Sequence, residues 1–243
     1  MWRLNLKFIG TFTWYYGFKS IPRGPSYIIS SMMYPLVFLF LITIFSAGKF
    51  LDFAVIGGFI SIVGMNAIYS SSDMAFHRIQ LKTQDLFVAT SISSTDYALA
   101  MSFSYLATST PGIAVYAIIG VLLSLFTLAN AAILAVLLLL VLFSVSAIAV
   151  LVSGMIKHIR NVWGISGILS VLLTVLPPIF YPYSILPKPV LYLFMLSPVT
   201  PASMLAQAAF KLQPFHYYAI VVLLVEIAVY AYIAKRLNHW REK

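Results

Sequence analysis

Residues 177–201 read PPIFYPYSILPKPVLYLFMLSPVTP and contain seven of the twelve prolines in the chain. Proline lacks a backbone N–H and is excluded from helix interiors, yet residues 190–196, VLYLFML, are too apolar for a solvated loop. A helix of that length, at about 1.5 Å per residue, cannot cross a hydrocarbon core of about 30 Å. We therefore predict that residues 181–213 form a re-entrant segment, in which short helices enter a bilayer and return, covered by the rest of the protein.

The composition indicates that the whole chain lies in a membrane. Hydrophobic residues make up 62% of it and charged residues 9%, whereas soluble domains average about 45–50% and about 25%. At about 20 residues per span, the chain accommodates about six spans and leaves no room for a soluble domain. The absence of cysteine excludes disulfides, thiolate metal sites and cysteine nucleophiles. We predict a single all-α transmembrane domain over residues 1–243.

The positive charges indicate how the chain is oriented. Its net charge of +9 could indicate nucleic-acid binding, but in a membrane protein the loops that carry the charges decide the topology. Twelve of the fifteen Lys and Arg residues lie near the termini and in alternate connections, and only Lys49, Lys188 and Lys211 lie in the others. The positive-inside rule then predicts a multi-pass protein of the plasma membrane with both termini in the cytoplasm. No nucleic-acid partner is expected.

Hydrophobic runs and helix breakers give the predicted order of elements. An amphipathic helix over residues 1–24, with Phe8 and Phe12 on its apolar face, is predicted to lie in the membrane interface. A cytoplasmic amphipathic helix is predicted over residues 73–90, and residues 93–96 are predicted to cap the start of the span that follows. The six predicted transmembrane helices cover residues 27–47, 53–72, 97–125, 130–153, 162–180 and 216–234.

Two sets of polar residues within the predicted spans are candidates for contact with a transported molecule. Ser102, Tyr105 and Ser109 recur every three or four residues, so they either line a polar route or pack against a neighbouring helix. Glu226 is the only acid that we predict deep in a span, and we expect it to face the bundle interior. It would either contact a cationic or hydroxyl-bearing substrate or be protonated and hydrogen-bonded to another helix.

The sequence provides no catalytic or metal site. It has no phosphate-binding loop of the form G-x-x-x-x-G-K-[ST], and its scattered histidines form no H-E-x-x-H motif. Residues 164–167 (GISG) have the G-x-S-G form found around the serine of rhomboid intramembrane proteases. However, Ser166 is predicted near the cytoplasmic end of the fifth span, whereas the candidate base His216 is predicted near the outer surface. Helix packing therefore explains these small residues better.

The proline-rich stretch resembles the permeases of ABC-2 type transporters, the membrane subunits of exporters for drugs, polysaccharides and lipids. Residues 180–182 (FYP), 186–187 (LP) and 196–201 (LSPVTP) are similar to the family signature Phe-x-Pro … Leu-Pro … Asn-Pro-Leu/Val-Thr before the last span. Ser197 stands where the family often has Asn. The similarity in the order of elements extends over essentially the whole chain.

A second stretch is similar to the region between the second and third spans of the same family. Arg78, residues 83–86 (TQDL), residues 91–93 (SIS) and the pair Asp96-Tyr97 follow the family's order of residues. The family's proline is absent from this stretch. The resemblance implies that this segment docks on a separate ATPase subunit as a coupling helix, beside the N-terminal helix.

The resemblance also implies partners and roles. The chain would not be an enzyme and would bind no cofactor, because ATP and Mg would bind to partner ATPase subunits. A second permease copy or a relative would complete the path for an amphipathic substrate. The implied ATPase-docking residues are Phe76, Arg78, Ile79, Lys82, Asp85 and Leu86. The residues assigned to the substrate path are Ser102, Tyr105, Ser109 and Glu226. Phe180, Tyr181, Tyr183 and Tyr192 would close an outer gate or form an interfacial aromatic belt.

Two other functions fit a six-span chain. A self-contained secondary carrier or channel would use an ion gradient and would need no ATPase. A rhomboid-like protease would depend on Ser166.

Overall fold

The computed structural model describes residues 4–237, and this part of the chain contains ten α-helices and no β-strand. Residues 1–3 and 238–243, which belong to the predicted N-terminal helix and the basic C-terminal tail, lie outside the described residues. The helices are α1 (Leu6–Phe12), α2 (Pro25–Phe45), α3 (Leu51–Ile79), α4 (Thr83–Val88), α5 (Ser94–Leu122), α6 (Leu128–Met155), α7 (Val162–Thr174), α8 (Lys188–Phe194), α9 (Val199–Ala209) and α10 (Tyr217–Leu237).

Several of these helices are suited to a bilayer. Four of them, α3, α5, α6 and α10, are long and apolar enough to cross a membrane, and α8 and α9 together pass the same test as one bent pair. The apolar part of α2, Ile29–Phe45, and all of α7 are shorter apolar helices. The predicted all-α class and the membrane-embedded character of the chain are therefore confirmed at this level.

Helix α3 is the centre of the fold. It is buried along almost its whole length and packs against α2, α5, α6, α7 and α9. Small residues allow these close contacts, because Gly and Ser occupy little space and let helix backbones approach one another. Gly57 lies against the backbone of Ile179, Gly58 against the ring of Tyr116, and Gly64 against Thr174. Since α3 contacts most other helices, any shift of it is transmitted through the bundle.

The N-terminal segment runs along α5 and does not cross it. A continuous helical run, which passes from α1 through a π-helical turn into a 3₁₀ turn, extends from Leu6 to Arg23. The backbone N–H of Asn5 donates to Asp96 Oδ1 at 2.9 Å, and Gly17 lies against Ser104. Both contacts lie on the first half of α5. The segment therefore packs on α5, which is itself a candidate span, and its predicted position in the membrane interface stays a prediction.

The predicted cytoplasmic helix over residues 73–90 is wrong as a single element. Helix α3 continues to Ile79, because residues 73–79 contain no Gly or Pro that would end it. The chain then turns at Lys82, whose φ of 52° is left-handed, and the short α4 follows. Residues 73–79 therefore extend the second span, and only α4 remains as a separate connection.

The predicted fifth span, residues 162–180, is helical only to Thr174. Pro177 and Pro178 account for the stop, because proline provides no backbone donor and disfavours helical geometry in the residue before it. The following residues lead towards α8 without further α-helix.

Helices α8 and α9 form a sharply bent pair, with an angle of 113° between them. The first residue of α9, Val199, lies against Gly64, which is midway along α3. At the other end of the pair, Tyr183 precedes α8 and donates its hydroxyl to Pro214 O, while Phe210 follows α9 and packs on Phe126. The bend thus reaches the middle of the bundle, and both arms lead back to one end of it.

Candidate functional site

The broken backbone before α8 is covered by polar side chains of α9. Gln207 is 1% exposed, and its Nε2 donates to Pro178 O at 2.9 Å and to Tyr181 O at 3.1 Å. The Ser203 hydroxyl also donates to Pro178 O, at 2.9 Å. Buried carbonyl groups need such partners, because no water replaces them in an apolar interior. Sequence analysis missed Gln207, although its amide stands alone in the alanine-rich stretch AQAA.

A further contact fixes the bend itself. The Ser197 hydroxyl donates to Leu173 O at 2.6 Å, near the end of α7. The hydroxyl of Thr200 donates to Phe194 O, the last residue of α8. The residues of the LSPVTP motif therefore bond the ends of α7 and α8 to the start of α9. This arrangement gives the motif a structural function in the described chain.

The four predicted gate residues lie around this broken segment but do not form one cluster. Phe180 is buried and stacks on Phe38 of α2, with ring centroids 5.2 Å apart. Tyr183 is buried, and the half-buried Tyr181 donates its hydroxyl to Leu176 O at 3.3 Å. Tyr192, by contrast, is 61% exposed on α8. Three of the four residues thus pack within the broken segment, and Tyr192 is directed away from the core.

The six predicted docking residues divide between two helices. Phe76, Arg78 and Ile79 belong to α3 and are half-buried, whereas Lys82, Asp85 and Leu86 are exposed at α4. Arg78 does not extend towards a partner, because its Nη2 donates to the carbonyl oxygens of Ser153 and Ile156, both at 2.6 Å. These carbonyls end α6, so Arg78 joins α3 to the C-terminus of α6.

An aromatic cluster links α4 to the N-terminal segment and to α5. The ring of Phe87 lies 5.5 Å from that of Phe8 and 5.5 Å from that of Tyr97. Phe12 packs on the same rings, and the hydroxyl of Tyr97 is 2.9 Å from His77 Nδ1 on α3. These contacts connect α4 with the N-terminal segment and α5 directly, and with α3 through Tyr97 and His77.

The polar stripe on α5 packs mainly against α3. The Ser109 hydroxyl donates to Tyr105 O at 2.7 Å and accepts from Asn66 Nδ2 at 3.0 Å. Ser102 donates to Ala98 O at 2.8 Å within its own helix, and it also lines a cavity of about 410 Å³ between α5, α6 and α10. Of the two interpretations that the sequence leaves open, these contacts favour helix packing for Ser109.

Glu226 is 8% exposed on α10, which packs against α6 and α9. Neither of its carboxylate oxygens has a hydrogen-bond partner among the described residues. A charged carboxylate without a partner is strongly disfavoured in such a position.

Asp73 is a second acid within a span, and sequence analysis missed it. It lies on α3, six residues before Ile79, and its Oδ2 accepts hydrogen bonds from the hydroxyls of Tyr16 at 2.7 Å and Tyr105 at 2.5 Å. Sequence analysis ended the second span at residue 72 and therefore placed Asp73 outside it. Tyr105, which belongs to the polar stripe of α5, was the available signal that a polar group faces α5.

The serine of the G-x-S-G sequence is a helix-packing residue in this structure. Ser166 is fully buried, accepts from the Ser72 hydroxyl at 2.7 Å and donates to Val162 O at 3.1 Å. The ring of His216 instead lies against those of Tyr183 and Tyr218, next to the start of α10. These contacts do not pair the two residues as nucleophile and base.

Comparisons with known proteins do not assign a family. No family model matches the chain, and no curated protein matches it. The functional interpretation therefore depends on the geometry described above and on the motif resemblance.

Proposed function

We propose that the chain is the membrane subunit of an ATP-driven exporter of the ABC-2 type. The observation that carries this proposal is the bent pair α8–α9, which follows the FYP and LSPVTP motifs and inserts to the middle of the bundle. Its hydrogen bonds with Gln207 and Ser197 show why a proline-broken segment is tolerated there. The similarity to the family signature and this geometry support each other.

The proposed topology has six crossings. They are formed by α2, α3, α5, α6, α7 with the extended residues after it, and α10. One end of this bundle, which we call the basic end, carries seven described Lys and Arg residues. These are Lys7, Arg78, Lys82, Lys157, Arg160, Lys235 and Arg236. Under the positive-inside rule the basic end is cytoplasmic, and the arms of the bent pair open outwards.

The proposed ATPase contact is the surface of α4. Asp85 and Leu86 are exposed on it, with Leu86 67% exposed. An exposed leucine beside charged residues is typical of a protein interface with an apolar centre and a polar rim. Two partner ATPase subunits would bind ATP and Mg, and a second permease copy or a relative would complete the transport path.

In the proposed cycle, closure of the ATPases on ATP pushes on α4. The aromatic contacts of Phe87 carry the displacement to the N-terminal segment and α5, while the end of α3 follows directly. ATP can drive transport only if the ATPases bind one conformation more tightly than the other. The bent pair with Phe180 and Tyr183 would then open or close the outer side for an amphipathic substrate.

One observation favours a second candidate function. Glu226 is buried within α10, and proton-coupled secondary carriers use intramembrane acids as proton sites. A carrier would work without an ATPase. The two proposals therefore differ in the partner that they require.

Purification of the tagged chain from native membranes in mild detergent, followed by mass spectrometry, tests the proposal. We expect an ATPase with a Walker motif to co-purify at a ratio near one to one. Recovery of the chain alone, even after crosslinking, would contradict the exporter proposal and favour the carrier.

A further inference from the structure

A cavity with a mostly apolar surface and a few polar side chains lies between the N-terminal segment and α5, next to Asp73. Its volume is about 540 Å³, within the range of about 300–1,000 Å³ that is usual for pockets that bind small molecules. The N-terminal segment, α3, α5 and α7 all contribute to its lining. The cavity contains one acidic side chain, Asp73, and one strongly basic one, Arg23. A ligand with one positive and one negative group would match both charges.

The Asp73 carboxylate is arranged to receive a cation. Both phenol donors, Tyr16 and Tyr105, bond to the same oxygen, Oδ2. They are neutral, so they stabilise the negative charge without cancelling it, and they leave Oδ1 to another donor. A primary ammonium group could donate a hydrogen bond to Oδ1, whereas a quaternary ammonium group has no N–H to donate.

Aromatic rings complete the environment for a cation. Tyr15, Tyr16, Tyr105 and Trp163 line the cavity, and the faces of such rings attract cations. One example already exists at its edge, because Lys19 Nζ lies 4.4 Å above the ring of Tyr15. The cavity therefore combines a carboxylate with rings that tolerate a partly desolvated positive charge.

In a bilayer centred on α3, Asp73 would lie close to the level of the lipid headgroups. Helix α3 has 29 residues, which at about 1.5 Å each give about 43 Å, against a hydrocarbon core of about 30 Å. If the helix is centred, each end extends about 7 Å beyond the core. Asp73 lies six residues, about 9 Å, from the basic end of α3. It is therefore within a few ångströms of the boundary between headgroups and acyl chains.

We propose that this cavity binds the headgroup of a zwitterionic phospholipid that carries a primary ammonium, such as phosphatidylethanolamine. The ammonium binds Asp73 among the tyrosines, and the phosphate binds Arg23, whose guanidinium suits a phosphate. The bound lipid would join the N-terminal segment to α3 and α5. This inference depends on the cavity alone and is independent of ATP-driven export.

Native mass spectrometry of the purified protein, with any partners that co-purify, tests the lipid site. The probes are phosphatidylethanolamine, phosphatidylcholine and phosphatidylglycerol, offered at equal concentration after delipidation. We expect one equivalent of phosphatidylethanolamine to be retained about tenfold more strongly than phosphatidylcholine, the ratio expected from one charge-assisted hydrogen bond. Asp73→Asn should abolish this preference. The matched control Asp52→Asn, an acid in the first turn of α3 at the opposite end of the helix, should keep it.

Equal retention of the three lipids by the unmodified protein would overturn the proposal, as would an Asp73→Asn variant with unchanged preference. If Asp73→Asn fails to fold, the exposed Arg23 provides a second variant. Arg23→Gln should fold and lose most of the retained phosphatidylethanolamine, and full retention would contradict the assignment.

Competition with soluble phosphoethanolamine shows whether the cavity binds a lipid headgroup or the free headgroup compound. Competition at the same concentration as the lipid would overturn the lipid assignment, and the absence of competition supports it.

Discussion

At the scale of single residues, Gln207 decides whether the proline-broken segment can lie inside the protein. Its amide group serves the carbonyls of Pro178 and Tyr181, and its Oε1 accepts from the backbone N–H of Tyr183 at 3.4 Å. One side chain thus forms hydrogen bonds with three backbone groups that have no helical partner, because the prolines interrupt the helix. Since these groups are buried, water cannot substitute for the amide.

Gln207→Leu should therefore destabilise the protein strongly. The Tyr181 carbonyl loses its partner, at a cost of about 1–3 kcal/mol, whereas Pro178 O keeps the Ser203 hydroxyl, so we expect the midpoint of thermal unfolding in detergent to fall by several degrees. Gln80→Leu is the matched control, because Gln80 is exposed after the end of α3 and should leave the midpoint within about a degree. Equal midpoints for the two variants would show that Gln207 does not hold the segment.

Individual residues also show which contacts could be predicted from the sequence and which could not. The predicted capping residues before the third span are confirmed, since Ser93 and Asp96 form a capping box at the start of α5. Arg78 was assigned to a partner surface, and the structure instead bonds it to the end of α6. A local motif predicts a local cap, but nothing in the sequence near Arg78 identifies carbonyls 75 residues away as its acceptors.

At the scale of elements, the contact of α3 with the broken segment depends on glycine. A Cβ added at Gly57 would lie 2.2 Å from Ile179 O, which is backbone and cannot rotate away. The same addition at Gly164 of α7 would meet nothing within 4 Å. The two positions therefore differ in packing although both are glycines in apolar helices.

Gly57→Ala should lower the midpoint of thermal unfolding, because overpacking a well-packed contact costs about 1–3 kcal/mol. Gly164→Ala is the control and should leave the midpoint unchanged or raise it, since alanine favours helix by up to about 1 kcal/mol. If Gly57→Ala were as stable as Gly164→Ala, the close approach of Ile179 to α3 would be wrong.

The accuracy of the predicted helix boundaries depended on whether the sequence contains a helix-breaking residue at that point. Proline clusters correctly predicted an irregular segment and short helices after α7, although the helix ends earlier than predicted, at Thr174. The end of α3 carries no such signal, because the chain turns at Lys82 with a positive φ that its residue type does not indicate. The amphipathic pattern of residues 73–90 continued across that turn, so periodicity alone joined two helices into one.

At the scale of the whole molecule, the account predicts one cytoplasmic face and one outer face. The basic end carries most of the charge, and the arms of the bent pair lie at the other end. Composition predicted a membrane protein, because its hydrophobic fraction of 62% and charged fraction of 9% lie far from soluble averages, and the long apolar runs predicted helices. The cavity beside Asp73 could not be predicted, since it depends on how the N-terminal segment packs along α5.

The central claim is that α4 docks an ATPase, and site-specific crosslinking in native membranes tests it most directly. The chain contains no cysteine, so Leu86→Cys and Leu128→Cys each provide a single attachment point for a photoactivated maleimide. Leu86 is 67% exposed on α4, and Leu128 is 92% exposed at the start of α6, at the opposite end of the bundle.

We predict that Leu86→Cys crosslinks to an ATPase with a Walker motif and that Leu128→Cys does not. Efficient labelling of Leu86→Cys without an ATPase adduct, or equal adduct yields from both positions, would contradict the account.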